Sequence, residues 1–224
     1  MNIKIINVSK VFSFGINKFN ACEDISLDIN QGDFISFVGH TGSGKSTLLS
    51  IIGSILKPTS GTIYYDSFKL DGANEDVLAS FRREYFSYIF QYPTIIPTIS
   101  VIDNILIPLS FKHQVTKEKI NQTKENIELF SLKDKMYSKA SNLSGGEMKK
   151  VSIIRALAYG CKCLIADEPT NDLDPATTKT LMEILSALNK SGTTIVMVTH
   201  AHNIAASANS VYEMSSGKII RCLK

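Results

Sequence analysis

Alternating hydrophobic and polar positions open and close the chain, and short unbroken apolar runs lie between them. Asn2–Val8 and Cys22–Ile29 alternate, the second with Ile25, Leu27 and Ile29 on one face, and both predict half-buried strands. Phe34–Val38, Cys163–Ala166 and Thr193–Thr199 are apolar stretches of strand length, and Thr62–Tyr65 and Phe86–Phe90 read as further strands. Ser210–Met214 and Lys218–Leu223 predict a closing hairpin through Ser216-Gly217. The stretch around Gly15 and the run Lys57–Gly61 are turn signals. Helical spacing appears after residue 45, over 75–83, over Thr116–Leu129 with Ile120, Ile127 and Leu129 for contacts, and around Val151, Ile154, Leu157 and Ala158. Another helix opens at Pro175, a residue suited to a first helical position. From Tyr92 to Phe111 the chain is apolar but carries Pro93, Pro97 and Pro108, which argues against a central strand or one long helix. Residues 93 to about 145 are therefore expected to form a separate, mainly helical lobe.

The strongest chemical signal follows the run Phe34–Val38. Gly39-His40-Thr41-Gly42-Ser43-Gly44-Lys45-Ser46-Thr47 fits Gly-x4-Gly-Lys-Ser between a strand and a helix, the P-loop pattern. Glycines let the backbone turn tightly and aim successive N–H groups at an anion. The helix start near Lys45 adds the positive end of its dipole. Lys45 can reach the β- and γ-phosphates of a nucleotide, and the Ser46 hydroxyl can hold Mg2+.

A second glycine-bearing helix start is Leu143-Ser144-Gly145-Gly146-Glu147. Ser144 and Glu147 make a capping box by themselves. Such a box does not require two glycines, each costing roughly 1 kcal/mol of helix propensity relative to alanine. The pair suggests close approach to the backbone, by an anion if the bare N–H groups are used. Further on, the strand Cys163–Ala166 delivers Asp167 and Glu168, and Pro169 ends it. Neighbouring strand residues point to opposite sides, so Asp167 can serve Mg2+ while Glu168 aims at a water; a turn with acidic caps is the plainer alternative. Thr193–Thr199 ends at His200. His202 makes a His-x-His pair with it but lacks a third ligand nearby. Gly39, Asp167, Glu168 and His200 thus each lie just past the end of an apolar strand, the edge where open α/β sheets bind ligands.

Composition narrows the field further. With 224 residues, 44% hydrophobic and 20% charged, the chain suits one sizeable core, or a core with an attached lobe. A formal charge of +3 does not argue for nucleic acid. Cys22, Cys161, Cys163 and Cys222 show no zinc spacing and read as free thiols of a reducing compartment. The first residues lack a signal-peptide layout, and no run of 18 apolar residues exists, so any membrane role is expected to come through a partner.

The P-loop, Leu143-Ser144-Gly145-Gly146-Glu147 and Asp167-Glu168, in this order, resemble the ATPase domain of an ABC transporter over essentially the whole chain. The pentapeptide is the specific part. The resemblance implies an α/β fold: a P-loop NTPase core (1–92 and 146–224) with a mainly parallel sheet, an N-terminal antiparallel β subdomain and a helical subdomain, in one domain. Gln91 matches the Q-loop, Leu173-Asp174 the end of the D-loop, His200 the switch histidine and Phe12 the adenine-stacking position. Phe12 alone reads equally as core packing. The implied ligands are ATP, held by Phe12 and residues 39–47, and Mg2+, held by Ser46, Gln91 and Asp167. The implied catalytic residues are Glu168, His200, Gln91 and Lys45. Ser144, Gly145, Gly146 and Glu147 of a second copy, or of a homologous ATPase, would close the site head to tail.

The segment from Phe81-Arg82-Arg83 to Ile96-Pro97, and the lack of a C-terminal extension, are similar to the lipoprotein-release, macrolide-export and antimicrobial-peptide-resistance group. That group implies a separate integral membrane permease, no nucleic-acid partner, and a peripheral place on the cytoplasmic face of the membrane. Its function would be export or extraction of a peptide, lipoprotein or hydrophobic drug; a member that signals to a membrane partner without transport would use the same residues. Two departures stand out: Met148-Lys149-Lys150 replaces a glutamine-rich, arginine-ending run, and Ala201 replaces a common aspartate. DNA-maintenance members carry long inserts that do not fit here, and a small-molecule kinase has no use for residues 143–147.

Overall fold

The computed structural model describes residues 1–70, 72–112 and 114–224, with Phe14 described by its backbone alone. The strands are β1 (Ile3–Phe14), β2 (Asn17–Ile29), β3 (Phe34–Val38), β4 (Ser60–Tyr65), β5 (Phe68–Lys69), β6 (Phe86–Ile89), β7 (Cys163–Asp167), β8 (Thr194–Val198), β9 (Ser210–Ser215) and β10 (Lys218–Cys222). The helices are α1 (Lys45–Ile52), α2 (Glu75–Tyr85), α3 (Val101–Ser110), α4 (Lys117–Leu129), α5 (Gly145–Tyr159), α6 (Pro175–Lys190) and α7 (His202–Ala205). The chain divides into two units. The first is Met1–Phe86, Cys161–Glu168 and Leu185–Lys224; the second is Ser87–Gly160 and Pro169–Ile184.

The first unit holds an antiparallel sheet in the order β2-β1-β4-β5. Ile3, Ile5 and Val8 bury one face of β1 with Ile25, Ile29 and Ile63. β1 runs six residues beyond its predicted end, and Phe12 lies inside it rather than after it. The turn at Gly15 shrinks to two residues, with Phe14 opposite Asn17. The extension is invisible in the side-chain pattern because residues 9–13 and 17–20 are held by backbone pairing while their side chains are half-buried or exposed.

The same unit carries β10-β9-β3-β8-β7 of the second sheet. β3, β8 and β7 are parallel and in step: Phe34 pairs with Ile195, and Leu164 pairs with Ile195 on the other side. Every residue of β3 and β8 is buried. Burial on both faces explains why these strands read as unbroken apolar runs. α1 packs against β7 and β8 through a buried face that includes Leu48, Leu49, Ile51 and Ile52. The β9–β10 hairpin turns at Ser216 and Gly217 with φ 48° and 80°. That is the positive-φ pair of a type I′ turn, whose twist matches the strands. An antiparallel sheet, a largely parallel sheet and flanking helices make the chain α/β, as expected.

In the second unit α3 and α4 pack on α5. Helix α3, ten residues long, lies in the stretch where the prolines argued against a central strand or one long helix. Pro108 is tolerated because it lies in the last turn, where it forfeits only the bond to the Asn104 carbonyl. Ser100 caps the other end by accepting from the Asp103 N–H. Thr116 caps α4, and Ile127 is buried with Thr123, but Leu129 is exposed and Phe130 takes the buried position.

Candidate nucleotide site and a second helix start

The glycine loop of the first unit is pinned by its neighbours. A Cβ on Gly39 would stand 2.2 Å from the Met214 carbonyl oxygen, and one on Gly44 2.1 Å from that of Ala21. Both residues also have positive φ, 148° and 99°, so backbone approach and backbone angle exclude a side chain together. Gly44 is the N-cap of α1, makes no side-chain cap, and no acidic residue sits in the first turn. The positive end of α1 is therefore uncapped by side chains of this loop. Lys45 donates to the carbonyls of Gly39 and His40 at 2.8 Å each. Burial pulls its ammonium below the usual lysine range, and the carboxylates of Glu168 and Asp167 oppose that pull. His40, Thr41, Gly42 and Ser46 are exposed, Thr47 is half-buried and Ser43 is buried.

The ends of β7 and β8 bring three further residues to this loop. The Ser46 hydroxyl donates to Asp167 Oδ1 at 3.1 Å. A hydroxyl beside a carboxylate is a hard-oxygen donor set, which fits Mg2+ completed by water and phosphate oxygens. Among the described residues no group of three or more His, Cys, Asp or Glu side chains could hold a metal, so His200 and His202 form no such site. Glu168 lies one residue beyond β7 at φ 45°, a left-handed conformation that non-glycine residues rarely adopt. This turn, rather than strand pleating, separates the two carboxylates. Its backbone N–H donates to Val198 at 2.9 Å. The buried Glu168 side chain accepts from the His200 ring Nδ1 at 3.1 Å and sits 3.4 Å from the His200 backbone N–H. Phe12 is half-buried in β1, with the Lys10 ammonium 5.3 Å from its ring centre.

The second unit holds Gln91 and residues 144–147. Ser144 and Glu147 form both halves of the capping box. Glu147 also accepts from Lys135 at 2.6 Å. That bond, with the Ser144 backbone N–H, lowers the Glu147 carboxyl to about 2. Ser144 and Gly145 are exposed. The two glycines have different reasons. A Cβ on Gly145 would meet nothing within 4 Å, whereas one on Gly146 would lie 3.1 Å from the Asp172 carbonyl oxygen. Gly146 is therefore small because its own chain approaches it. Lys150 pairs with Asp174 at 3.3 Å, and Asp174 caps α6 by accepting from the Thr177 N–H at 2.8 Å. Gln91 is exposed, but its carbonyl and that of Phe90 accept from Lys149. Sequence reasoning missed that role of Lys149. Its helical neighbours, Gly145, Gly146, Ser152 and Ile153, gave no signal of it.

The family model described as ABC transporter matches residues 22–171, more than half of the chain. The chain is 39% identical over 218 residues to the macrolide export ATP-binding/permease protein MacB of Neisseria meningitidis, covering 97% of this chain and 34% of that protein. It thus spans about a third of the length of the macrolide-export relatives it matches. It is 35% identical to the ABC transporter ATP-binding protein MJ0796 of Methanocaldococcus jannaschii, covering 98% of this chain and 95% of that one. The dimeric structure of MJ0796 in a post-hydrolysis state, bound to ADP and Pi, superposes with a TM-score of 0.93 at 34% identity, covering 99% of this chain and 98% of that one.

Proposed function

The chain belongs to the ABC transporter family, and from that premise we propose that it hydrolyses MgATP in a head-to-tail dimer to drive a membrane permease. The observation that carries the reading is the meeting of the glycine loop, Asp167, Glu168 and His200 at one edge of the first unit's parallel strands. In this reading, residues 39–47 cradle the phosphates with backbone N–H groups and the α1 dipole. Lys45 exchanges its two carbonyl partners for phosphate oxygens and keeps its charge there because Glu168 and Asp167 lie near. Ser46 and Asp167, with Gln91 assigned by resemblance, would hold Mg2+, which would supply neutralising charge for the phosphate oxygens. Glu168 orients a water or takes its proton, and His200 holds the Glu168 carboxylate in place and contacts the γ-phosphate. Phe12 offers its half-buried ring to the base.

Residues 144–147 of the partner copy complete the site. Its Ser144 and Gly145 are exposed, as a surface meeting another molecule's triphosphate requires, and the MJ0796 relative is known as a dimer. Among the described residues no helix is long and apolar enough to cross a membrane. The name of the macrolide-export ATP-binding/permease relatives supports an integral membrane permease as the partner, with this ATPase on the cytoplasmic face and docking through the segment that exposes Phe90, Tyr92 and Ile96. The proposed cargo, by the resemblance, is a peptide, lipoprotein or hydrophobic drug, and the macrolide-export name of the relatives supports the last of these. Glu168→Gln tests the assignment: the variant should bind ATP, release phosphate at least about a hundredfold more slowly and accumulate as a dimer. Turnover near that of the unmodified chain would refute it.

A further inference from the structure

The residues from Phe90 to Ser100 have no regular structure, yet side chains hold their backbone in place. The buried Asn104 accepts from the Ile96 N–H at 2.8 Å and donates to the Ile96 and Ser100 carbonyls. Arg155 donates to the Thr94 carbonyl at 2.6 Å and to the Thr94 hydroxyl at 2.7 Å. Lys149 donates to the carbonyls of both Phe90 and Gln91 at 2.9 Å. Two of these three side chains project from α5, the helix that Ser144 and Glu147 begin.

Lys149 is the unusual member of the set. It is 1% exposed and among the largest fully buried side chains of the protein. Lysines are seldom fully buried, because taking an ammonium out of water is costly unless polar partners surround it. An apolar side chain of similar length would pack the same space. What the ammonium adds is a bond to two successive carbonyls, which sets the orientation of the peptide preceding Gln91 against α5. The next residue, Lys150, reaches the Asp174 carboxylate on the following turn. The replaced run Met148-Lys149-Lys150 therefore grips two loops with amines.

We propose that Lys149 is a positioning residue that ties the Gln91 segment to the helix carrying residues 144–147, so that the two shift together. Gln91 is the residue assigned to this chain's own nucleotide, and residues 144–147 are those assigned to the partner's. A rigid tie between them makes nucleotide at one site a determinant of how residues 144–147 meet the other. The consequence for turnover rests on the MgATP reading above; the tie itself does not.

The test uses the full chain with Lys149→Met and Lys149→Gln. The first removes the donor, and the second keeps N–H groups on a shorter side chain. Without nucleotide, Lys149→Met should speed amide hydrogen exchange over residues 91–96 about tenfold, the effect of losing charge-assisted bonds, while amides 39–47 keep their rates. With MgATP its kcat should fall about tenfold at nearly constant KM, because positioning rather than binding is lost. Lys149→Gln should lie between that variant and the unmodified chain on both readouts, and is read alone if Lys149→Met does not fold. Unchanged exchange over 91–96 in the folded variants would overturn the proposal. So would equal losses in both variants, or faster exchange spread to residues 39–47. If the unmodified chain itself shows no turnover, the hydrolysis reading fails and the exchange arm still decides the role of Lys149.

Discussion

Two helix starts in this chain carry glycines, and the chain finishes them in opposite ways. At α1, Gly44 provides no side-chain cap, the first turn has no acidic residue, and Lys45 stands beside the opening. At α5, Ser144 and Glu147 close the box themselves, and Lys135 neutralises the carboxylate they use. An uncapped start takes its counter-charge from a ligand. A capped start is stable alone and presents what remains exposed, here Ser144 and Gly145, to something arriving from outside. Glycine next to a helix is thus the same word with two meanings, and the side chains within three residues of it tell them apart.

The largest effect should come from breaking the open start. Lys45→Ala should lower MgATP turnover by a factor of about a hundred or more, the scale for losing a charge that stabilises phosphoryl transfer. Its thermal midpoint should change little, because the burial cost of the Lys45 ammonium offsets its bonds to the Gly39 and His40 carbonyls. Phosphate release and a melting curve on one preparation check both.

At the capped start the expected loss is structural as well. Ser144→Ala should cost about 1 kcal/mol of stability, read from urea unfolding, besides slowing turnover. Gly145→Ala sharpens the contrast. With open space around it and a helical position, alanine should stabilise the fold by up to about 1 kcal/mol while turnover falls. A variant that is both more stable and equally active would remove the reason to place a ligand there.

The smallest effect is one of pH. The Glu147 carboxyl is lowered from an ordinary 4.5 to about 2 by Lys135 and the Ser144 N–H. A lowered carboxyl contributes stability that is complete above its unfolded value and is lost as pH falls through its folded value. The contribution should therefore hold above about pH 4.5 and fade toward pH 2. Urea unfolding at several pH values, with Glu147→Gln as the comparison, should show a smaller decline between those limits in the variant.

The apolar strands and the glycine loop were legible in the sequence because each leaves its mark in consecutive residues. Phe34–Val38 is apolar throughout because it sits between two strands, and Gly39 and Gly44 are glycines where the Met214 and Ala21 carbonyls press on a positive-φ backbone. The capping box was legible for the same reason, since Ser144 and Glu147 act over three residues. Less legible were features whose cause lies far along the chain. The extension of β1 past Val8 depends on pairing with Asn17–Cys22 and leaves little trace in hydropathy. The bounds of helix α3 were hidden by Pro108, whose tolerance depends on where the helix ends. The smallness of Gly146 answers to Asp172, 26 residues later, and the burial of Lys149 answers to carbonyls nearly 60 residues earlier. No spacing within α5 announces either.

The central claim is that each nucleotide is served by the open start of one chain and the capped start of another. Mixing two inactive variants tests it most directly. Lys45→Ala removes the first half, and Gly145→Glu places a carboxylate at the exposed second half, where an added Cβ meets nothing within 4 Å. Each variant alone should be nearly inactive. An equal mixture should regain about a quarter of the unmodified turnover, because half of randomly paired symmetric dimers then hold one intact site of two. A mixture as inactive as its parts would contradict the shared site, as would full activity of Gly145→Glu alone.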